Sequence, residues 1–184
     1  MSDQKMSAAF IYDGGRSAFG RHGGALSPVR PDNLLAHVIK TVVERNPFAA
    51  TAYEDVIIGN TNGAGEDCRN VARFAGLLAG MDTAVGGLTV NRLCGSGLAA
   101  TLDAARAVKV GEGELFVSGG VESMSRAPII LSKAQSAYDR GQQIADSTLG
   151  ARFTNPAFAS AYGNDAMPQT ADNIASDIGI TREQ

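Results

Sequence analysis

Short apolar runs alternate along the chain with longer segments in which apolar residues recur at helical spacing. The short runs predict buried strands, and the longer segments predict helices that bury one face. Strands are predicted at residues 8–12, 55–59, 87–93 and 115–118, and helices at residues 31–46, 69–78 and 98–110. This β-α-β-α-β-α-β order predicts an α/β fold with a mostly parallel sheet and helices on both of its faces.

The pattern changes after residue 125. Residues 126–169 show no clear periodicity and are rich in Ser, Ala, Asn, Asp and Gly, and a short helix is predicted to begin at Asp172. A stretch of this length without regular structure is usually functional when it lies inside a compact domain. The sequence therefore predicts one domain at residues 1–125 and a second, different region at residues 126–184.

Composition narrows the class of protein. Hydrophobic residues make up 44% of the 184 residues and charged residues 19%, as in ordinary soluble globular proteins. The net charge of −3 argues against nucleic-acid binding, and no apolar stretch is long enough to span a membrane. The first residues lack the apolar segment of a signal peptide, and two cysteines outside a secretory context predict reduced thiols in the cytoplasm. We expect neither a metal site nor a permanently bound cofactor.

Cys94 is the candidate nucleophile. It lies where a strand-like run meets an alanine-rich helical run, and Gly95 and Gly97 follow it. The first turn of a helix presents unpaired N–H groups and the positive end of the helix dipole, which favour a thiolate over a thiol. The glycines leave room for a substrate to approach the backbone, whose N–H groups can receive an oxyanion. The alternative is a buried, unreactive cysteine.

Two other interpretations compete with this one. Cys68 also lies near the start of a predicted helix, but Glu66 and Asp67 flank it, and nearby carboxylates disfavour a thiolate. Residues 95–100 fit the dinucleotide-binding pattern G-x-G-x-x-A, yet the end of the next strand carries Ser118 where an acidic residue is expected. We therefore expect Cys68 to be a non-catalytic thiol and regard a dehydrogenase as a distant alternative.

Two segments resemble motifs of the thiolase family. Residues 91–97, Asn-Arg-Leu-Cys-Gly-Ser-Gly, are similar to its nucleophile motif N-x-x-C-x-S-G, and residues 119–125, Gly-Gly-Val-Glu-Ser-Met-Ser, are similar to its G-G-x-E-x-M-S motif. The resemblance covers the whole chain, which corresponds to the first half of a thiolase. Within the family, residues 64–73 and 152–156 look most like the 3-oxoadipyl-CoA thiolases of aromatic-compound degradation.

The resemblance implies a coenzyme A-dependent acyltransferase. Cys94 would attack the 3-oxo carbonyl of a 3-oxoacyl-CoA, and coenzyme A would then take the acyl group from the enzyme thioester. The resemblance also implies that residues 126–184 begin an inserted loop domain over the coenzyme A tail, with Met167 lining the pantetheine tunnel. Packing of Met167 in a core is the equal alternative. For a substrate with a distal carboxylate, Arg126, Arg140 and Arg152 are the candidate partners.

The same resemblance implies which parts of a thiolase lie outside these residues. They are the last strand of the first core domain, the second core domain, a base from a G-H-P setting, an acid from a C-x-G setting and an N-E-A motif. His22 and His37 do not lie in a G-H-P setting, so we expect these 184 residues alone not to turn over. A homo-oligomer, dimer or tetramer, is expected of the full-length protein. A 3-oxoacyl synthase and a non-catalytic lipid-carrier or assembly module remain open alternatives.

Overall fold

A computed structural model describes residues 8–183 of the 184-residue chain. The chain divides into two compact units, Met1–Arg126 and Ala127–Gln184. The first unit contains a three-stranded parallel sheet and three helices, which confirms the predicted α/β class. Among the described residues, no helix is both long enough and apolar enough to cross a membrane.

The sheet of the first unit consists of β1 (Asp55–Gly59), β2 (Gly86–Val90) and β3 (Phe116–Gly120). The strand order is β2-β1-β3, and both pairs are parallel. The three helices are α1 (Pro31–Glu44), α2 (Val71–Leu78) and α3 (Ser96–Val110). These bounds agree with the predicted elements to within a few residues. The later start of α2 and the earlier end of β2 have a backbone cause, since Arg69 and Leu93 take positive φ angles of 63° and 48°.

The central strand β1 buries both of its faces. Val56 and Ile58 pack in one apolar cluster with residues of α1 and α2, whereas Ile57 packs with Ala100 and Ala104 of α3. Successive side chains of a strand point to opposite faces, so these two clusters cover the two sides of the sheet. The prediction of helices on both faces is confirmed, and the continuous apolar run of β1 is its cause.

The first predicted strand, at residues 8–12, is wrong. This segment is not a strand, and the side chains of Phe10 and Ile11 are 88% and 85% exposed. The segment and β3 both line a groove of about 440 Å³. An extended apolar run becomes a strand only when a neighbouring backbone offers a ladder of hydrogen bonds. Within residues 8–183, β3 pairs only with β1, and residues 8–12 form no ladder with its outer edge.

The second unit contains more regular structure than its sequence pattern predicts. A two-stranded antiparallel sheet joins β4 (Ile129–Leu131) to β5 (Ile144–Asp146), and two helices follow, α4 (Pro156–Tyr162) and α5 (Met167–Ile178). Strands of this length are too short to show a period. The sequence does carry a start signal for α4, because Asn155 caps this helix and Pro156 occupies its first turn. The helix predicted from Asp172 begins at Met167 instead.

Candidate active site

The three parallel strands end at one edge of the sheet. The ladder continues past the strands, since the Asn60 N–H donates to the Val90 carbonyl at 3.1 Å and the Val121 N–H donates to the Gly59 carbonyl at 3.0 Å. The segments that follow β1, β2 and β3 are therefore held side by side. In α/β sheets this carboxyl edge is the usual location of a binding site.

The amino end of α3 lies directly against this edge. A Cβ atom on Gly59 would be only 2.4 Å from the backbone carbonyl carbon of Ser96, so no side chain fits at the end of β1. A Cβ atom on Gly120 would lie 3.2 Å from the Gly59 carbonyl oxygen and 3.5 Å from the Cα of Gly97. Gly97, expected to make room for a substrate, thus packs against the end of β3. These contacts fix the turn that precedes α3 over the ends of two strands.

The turn at residues 91–96 is fixed by two of its own side chains. The Ser96 hydroxyl donates to the Leu93 carbonyl at 2.5 Å and accepts the Arg92 N–H at 2.8 Å. The Asn91 Oδ1 accepts the Leu93 N–H at 2.9 Å. These bonds hold Leu93 in the left-handed region, with φ of 48°, which costs about 1–2 kcal/mol for a residue with a Cβ. Ser96 is buried, although the rest of the turn is exposed.

Cys94 follows this strained residue. It lies two positions before Ser96, the first residue of α3, and so just outside the helical turn in which we expected it. Its side chain is exposed, which excludes the alternative of a buried structural cysteine within the described chain. Within residues 8–183, the Cys94 N–H donates no hydrogen bond. An accessible thiol and an unused N–H on one residue are the pair needed for nucleophilic attack and oxyanion stabilisation.

Sequence reasoning gave no role to three residues that the fold brings to this turn. The Glu122 carboxylate accepts the N–H and the hydroxyl of Thr61, and the Thr61 carbonyl accepts the Asn91 side-chain amide. Asn91 and Glu122 belong to the two motifs quoted above, so their sequence signal was present. Thr61 lies in neither motif, and only its position after β1 places it between them.

The turn around Cys68 is built differently. Cys68 is exposed, but its N–H donates to the Gly65 carbonyl at 3.1 Å. The neighbouring Asp67 is buried and accepts from the Asn60 side-chain amide at 3.1 Å. Glu66 pairs with Arg126 and with Arg30, and the hydrogen bonds from Arg126 lower the pKa of Glu66. Both flanking carboxylates therefore have structural partners.

Comparison with known proteins bears on this site. Residues 9–184 match the family model of the thiolase N-terminal domain. The chain belongs to the thiolase family. It is 54% identical over 179 residues to the 3-oxoadipyl-CoA/3-oxo-5,6-dehydrosuberyl-CoA thiolase of Escherichia coli K12, a match that covers 97% of this chain and 45% of that protein. The chain thus spans less than half the length of the curated relatives it matches.

Solved thiolase structures have the same fold. The acetyl-CoA acetyltransferase of Bacillus anthracis superposes with a TM-score of 0.75 at 34% identity, over 89% of this chain and 40% of that one. The Acat5 thiolase of Ascaris suum, solved in complex with coenzyme A, superposes with a TM-score of 0.74 at 26% identity, over 89% and 41%. The expectation of a thiolase-type core is confirmed by these likenesses.

Three other residues considered in the sequence analysis, Met167, His22 and His37, form no hydrogen bond to Cys94 within residues 8–183. Met167 is the first residue of α5, and its side chain is 68% exposed, so core packing within the described chain is excluded for it. His22 and His37 are exposed, and neither is hydrogen-bonded to Cys94 in residues 8–183. The same residues contain no cluster of His, Cys, Asp or Glu side chains that could hold a metal ion.

Proposed function

We propose that this chain carries the nucleophile of a thiolase that cleaves a 3-oxoacyl-CoA with coenzyme A. The observation that carries the proposal is the Cys94 turn. In it the strained Leu93 precedes a cysteine whose thiol is exposed and whose N–H donates no hydrogen bond within the described residues. The turn lies at the carboxyl edge of the sheet, and Asn91, Cys94 and Ser96 match the nucleophile motif of the family.

The chemistry proceeds in two transfers. The Cys94 thiolate adds to the 3-oxo carbon, and the bond between C2 and C3 breaks. The electron pair of that bond leaves with the acetyl-CoA enolate, which takes a proton and becomes acetyl-CoA. The thiol of coenzyme A then loses a proton, which balances the one taken by the enolate. Its sulfur attacks the Cys94 thioester, releases a shortened acyl-CoA and returns the thiolate. Splitting the exchange into two thioester steps lowers the barrier of each, and the Cys94 N–H can stabilise an oxyanion formed during these transfers.

The substrate proposed is 3-oxoadipyl-CoA, whose thiolysis yields acetyl-CoA and succinyl-CoA. The Escherichia coli relative named above supports this substrate. A distal carboxylate needs a cationic or amide partner, and Arg126, Arg140 and Arg152 are the proposed candidates. Arg126 also pairs with Glu66 and donates to the Ser27 carbonyl at 3.2 Å, and Arg152 donates to the Gly150 carbonyl at 3.0 Å.

The second unit is proposed to be part of a loop domain that covers coenzyme A, with Met167 against the pantetheine arm. The coenzyme A complex of the Ascaris suum thiolase supports binding of this substrate in the family. A cytoplasmic homo-oligomer is proposed for the full-length protein. A condensing enzyme that runs the bond-forming direction with the same cysteine is the alternative function, and a non-catalytic carrier or assembly role is the second.

The test compares kcat/KM of the full-length protein for 3-oxoadipyl-CoA and acetoacetyl-CoA. We expect a clear preference for 3-oxoadipyl-CoA and, with this substrate in the absence of coenzyme A, a succinyl group on Cys94 detected by peptide mass mapping. A preference for acetoacetyl-CoA contradicts the substrate. An acyl group on another residue contradicts the nucleophile. The absence of any acyl-enzyme and of any turnover favours the non-catalytic alternative.

A further inference from the structure

A chain of hydrogen bonds joins Glu122 to the residue before Cys94. The Glu122 Oε2 accepts the Thr61 N–H at 2.8 Å and the Thr61 hydroxyl at 2.7 Å. The Thr61 carbonyl accepts the Asn91 Nδ2–H at 3.2 Å, and the Asn91 Oδ1 accepts the Leu93 N–H at 2.9 Å. The chain runs from the segment after β3, through the segment after β1, to the turn after β2.

Leu93 needs such an anchor. Its left-handed backbone is unfavourable for a residue with a Cβ and persists only where the surroundings hold it. Ser96 fixes the carbonyl of Leu93, but only Asn91 holds the N–H of Leu93 among the described residues. The Asn91 Oδ1 can hold the Leu93 N–H in one geometry only if the Nδ2 end of the same amide is also anchored. The Thr61 carbonyl provides that anchor by accepting the Asn91 Nδ2–H.

We propose that Glu122 is a positioning residue for the Cys94 nucleophile and acts through Thr61 and Asn91. This inference rests on the proposed function in which Cys94 attacks the substrate. A carboxylate suits the first position of the chain because hydrogen bonds to an ionised acceptor are stronger than those between neutral groups. Two donors of Thr61 converge on one oxygen of Glu122, so the backbone of Thr61 is held from both its N–H and its side chain. Glu122 makes no hydrogen bond to Cys94 in residues 8–183, which separates positioning from proton transfer.

The kinetic test uses the full-length protein with the variants Glu122→Ala and Glu122→Gln. Loss of the carboxylate in Glu122→Ala is expected to lower kcat about tenfold while KM stays within about twofold. Glu122→Gln retains an oxygen that can accept both Thr61 bonds, so it is expected to recover most of kcat. Glu112→Ala is the matched control, because Glu112 is an exposed glutamate in the turn after α3. An unchanged kcat in Glu122→Ala overturns the proposal.

A double-mutant cycle tests whether the chain acts as one unit. Asn91→Ala is expected to lower kcat at least as much as Glu122→Ala. The double variant should lose no more than Asn91→Ala alone, because Glu122 has no route to Leu93 once Asn91 is removed. Losses that multiply in the double variant show that Glu122 acts by another route, and they overturn the proposal.

A second readout is independent of turnover. The rate of Cys94 alkylation by iodoacetamide is expected to fall at least about threefold in Glu122→Ala, since a loosened turn no longer holds the Cys94 thiol in one exposed position. The alkylation rate of Cys68 should not change, and circular dichroism should show that the variant remains folded. If the wild-type protein lacks thiolysis, the proposed function fails, and this measurement still decides the role of Glu122. Equal Cys94 alkylation in wild type and Glu122→Ala overturns the proposal, and a change in Glu122→Ala that Glu122→Gln reverses supports it.

Discussion

The turns that carry Cys94 and Cys68 look alike at first sight. Each precedes a helix, each exposes its thiol, and each includes a residue other than glycine with positive φ. They differ in how their polar groups are used. The Cys68 N–H and both flanking carboxylates form hydrogen bonds or ion pairs with structural partners. In the other turn the residues on either side of Cys94 are hydrogen-bonded, but the Cys94 N–H donates no hydrogen bond among the described residues. Exposure therefore does not distinguish the two thiols, whereas the state of the adjacent N–H does.

Replacing each cysteine gives the largest expected contrast. Cys94→Ala in the full-length protein should reduce kcat for 3-oxoadipyl-CoA by at least about 1000-fold, because the proposed acyl-enzyme thioester forms on this thiol. Cys68→Ala should leave kcat within about twofold. Steady-state kinetics on both variants, with circular dichroism to confirm folding, provides the measurement. A large loss in Cys68→Ala would remove the distinction between the two turns.

Replacing the polar residue that fixes each turn gives the next contrast. Ser96→Ala removes the bonds to Leu93 and Arg92 and should lower kcat about tenfold, since the geometry of the nucleophile loosens. Asn70, the cap of α2, accepts the Arg73 N–H and the Thr89 hydroxyl and donates to the Gly87 carbonyl. Asn70→Ala should therefore cost about 2 kcal/mol of unfolding free energy without lowering kcat. Urea unfolding and kinetics of both variants test this. If Asn70→Ala lowers kcat as much as Ser96→Ala, the two turns are equivalent for function.

The alkylation rates of the two cysteines compare them directly. We expect Cys94 to react with iodoacetamide about fivefold faster than Cys68 at neutral pH, because no carboxylate residue adjoins the exposed Cys94, whereas Glu66 and Asp67 precede Cys68. Brief labelling of the folded protein followed by peptide mapping measures both sites in one sample. Denatured protein is the control and should label both cysteines at similar rates. Equal rates in the folded state would leave the Cys94 turn without a reactivity advantage.

The smallest effect concerns the ion pair beside Cys68. Arg126 lowers the folded-state pKa of Glu66 below its unfolded value of about 4.3. The stabilisation it gives is therefore fully present above that unfolded value and is lost as pH falls through the folded-state pKa. Glu66→Gln should lower the thermal midpoint slightly at pH 7, and by less as the pH falls below that unfolded value. Glu44→Gln, which removes only an exposed pair with Lys40 at 3.7 Å, is the control. A changed rate of Cys94 alkylation in Glu66→Gln would show that the two turns are coupled.

Several elements were predictable because a local pattern decides them. Residues 55–59 were placed correctly as a strand, since a continuous apolar run bounded by polar residues suits a strand buried on both faces. Pro31 and the apolar spacing after it gave α1. Residues 8–12 have an equally apolar run, but a strand there depends on a partner backbone that no local pattern reveals. The hairpin of β4 and β5 was missed because its strands are too short for a period.

The candidate site divides in the same way. The junction of a strand and a helix at Cys94 was evident from the local residue pattern, and the two motifs indicated the family. What the sequence did not reveal is the contact between Glu122 and Thr61, which are 61 residues apart.

The sequence by itself determined the alternation of three helices and three parallel strands between residues 31 and 120, and the position of Cys94 before α3. Hydrophobic periodicity and turn residues act over a few positions, so they can be read without the fold. Only the tertiary structure decided that Gly59 must lack a side chain beneath Ser96, and that Glu122, Thr61 and Asn91 form one chain. Three strands that are distant in sequence end at one edge, and close packing there brings together side chains and peptide groups that have no local relation.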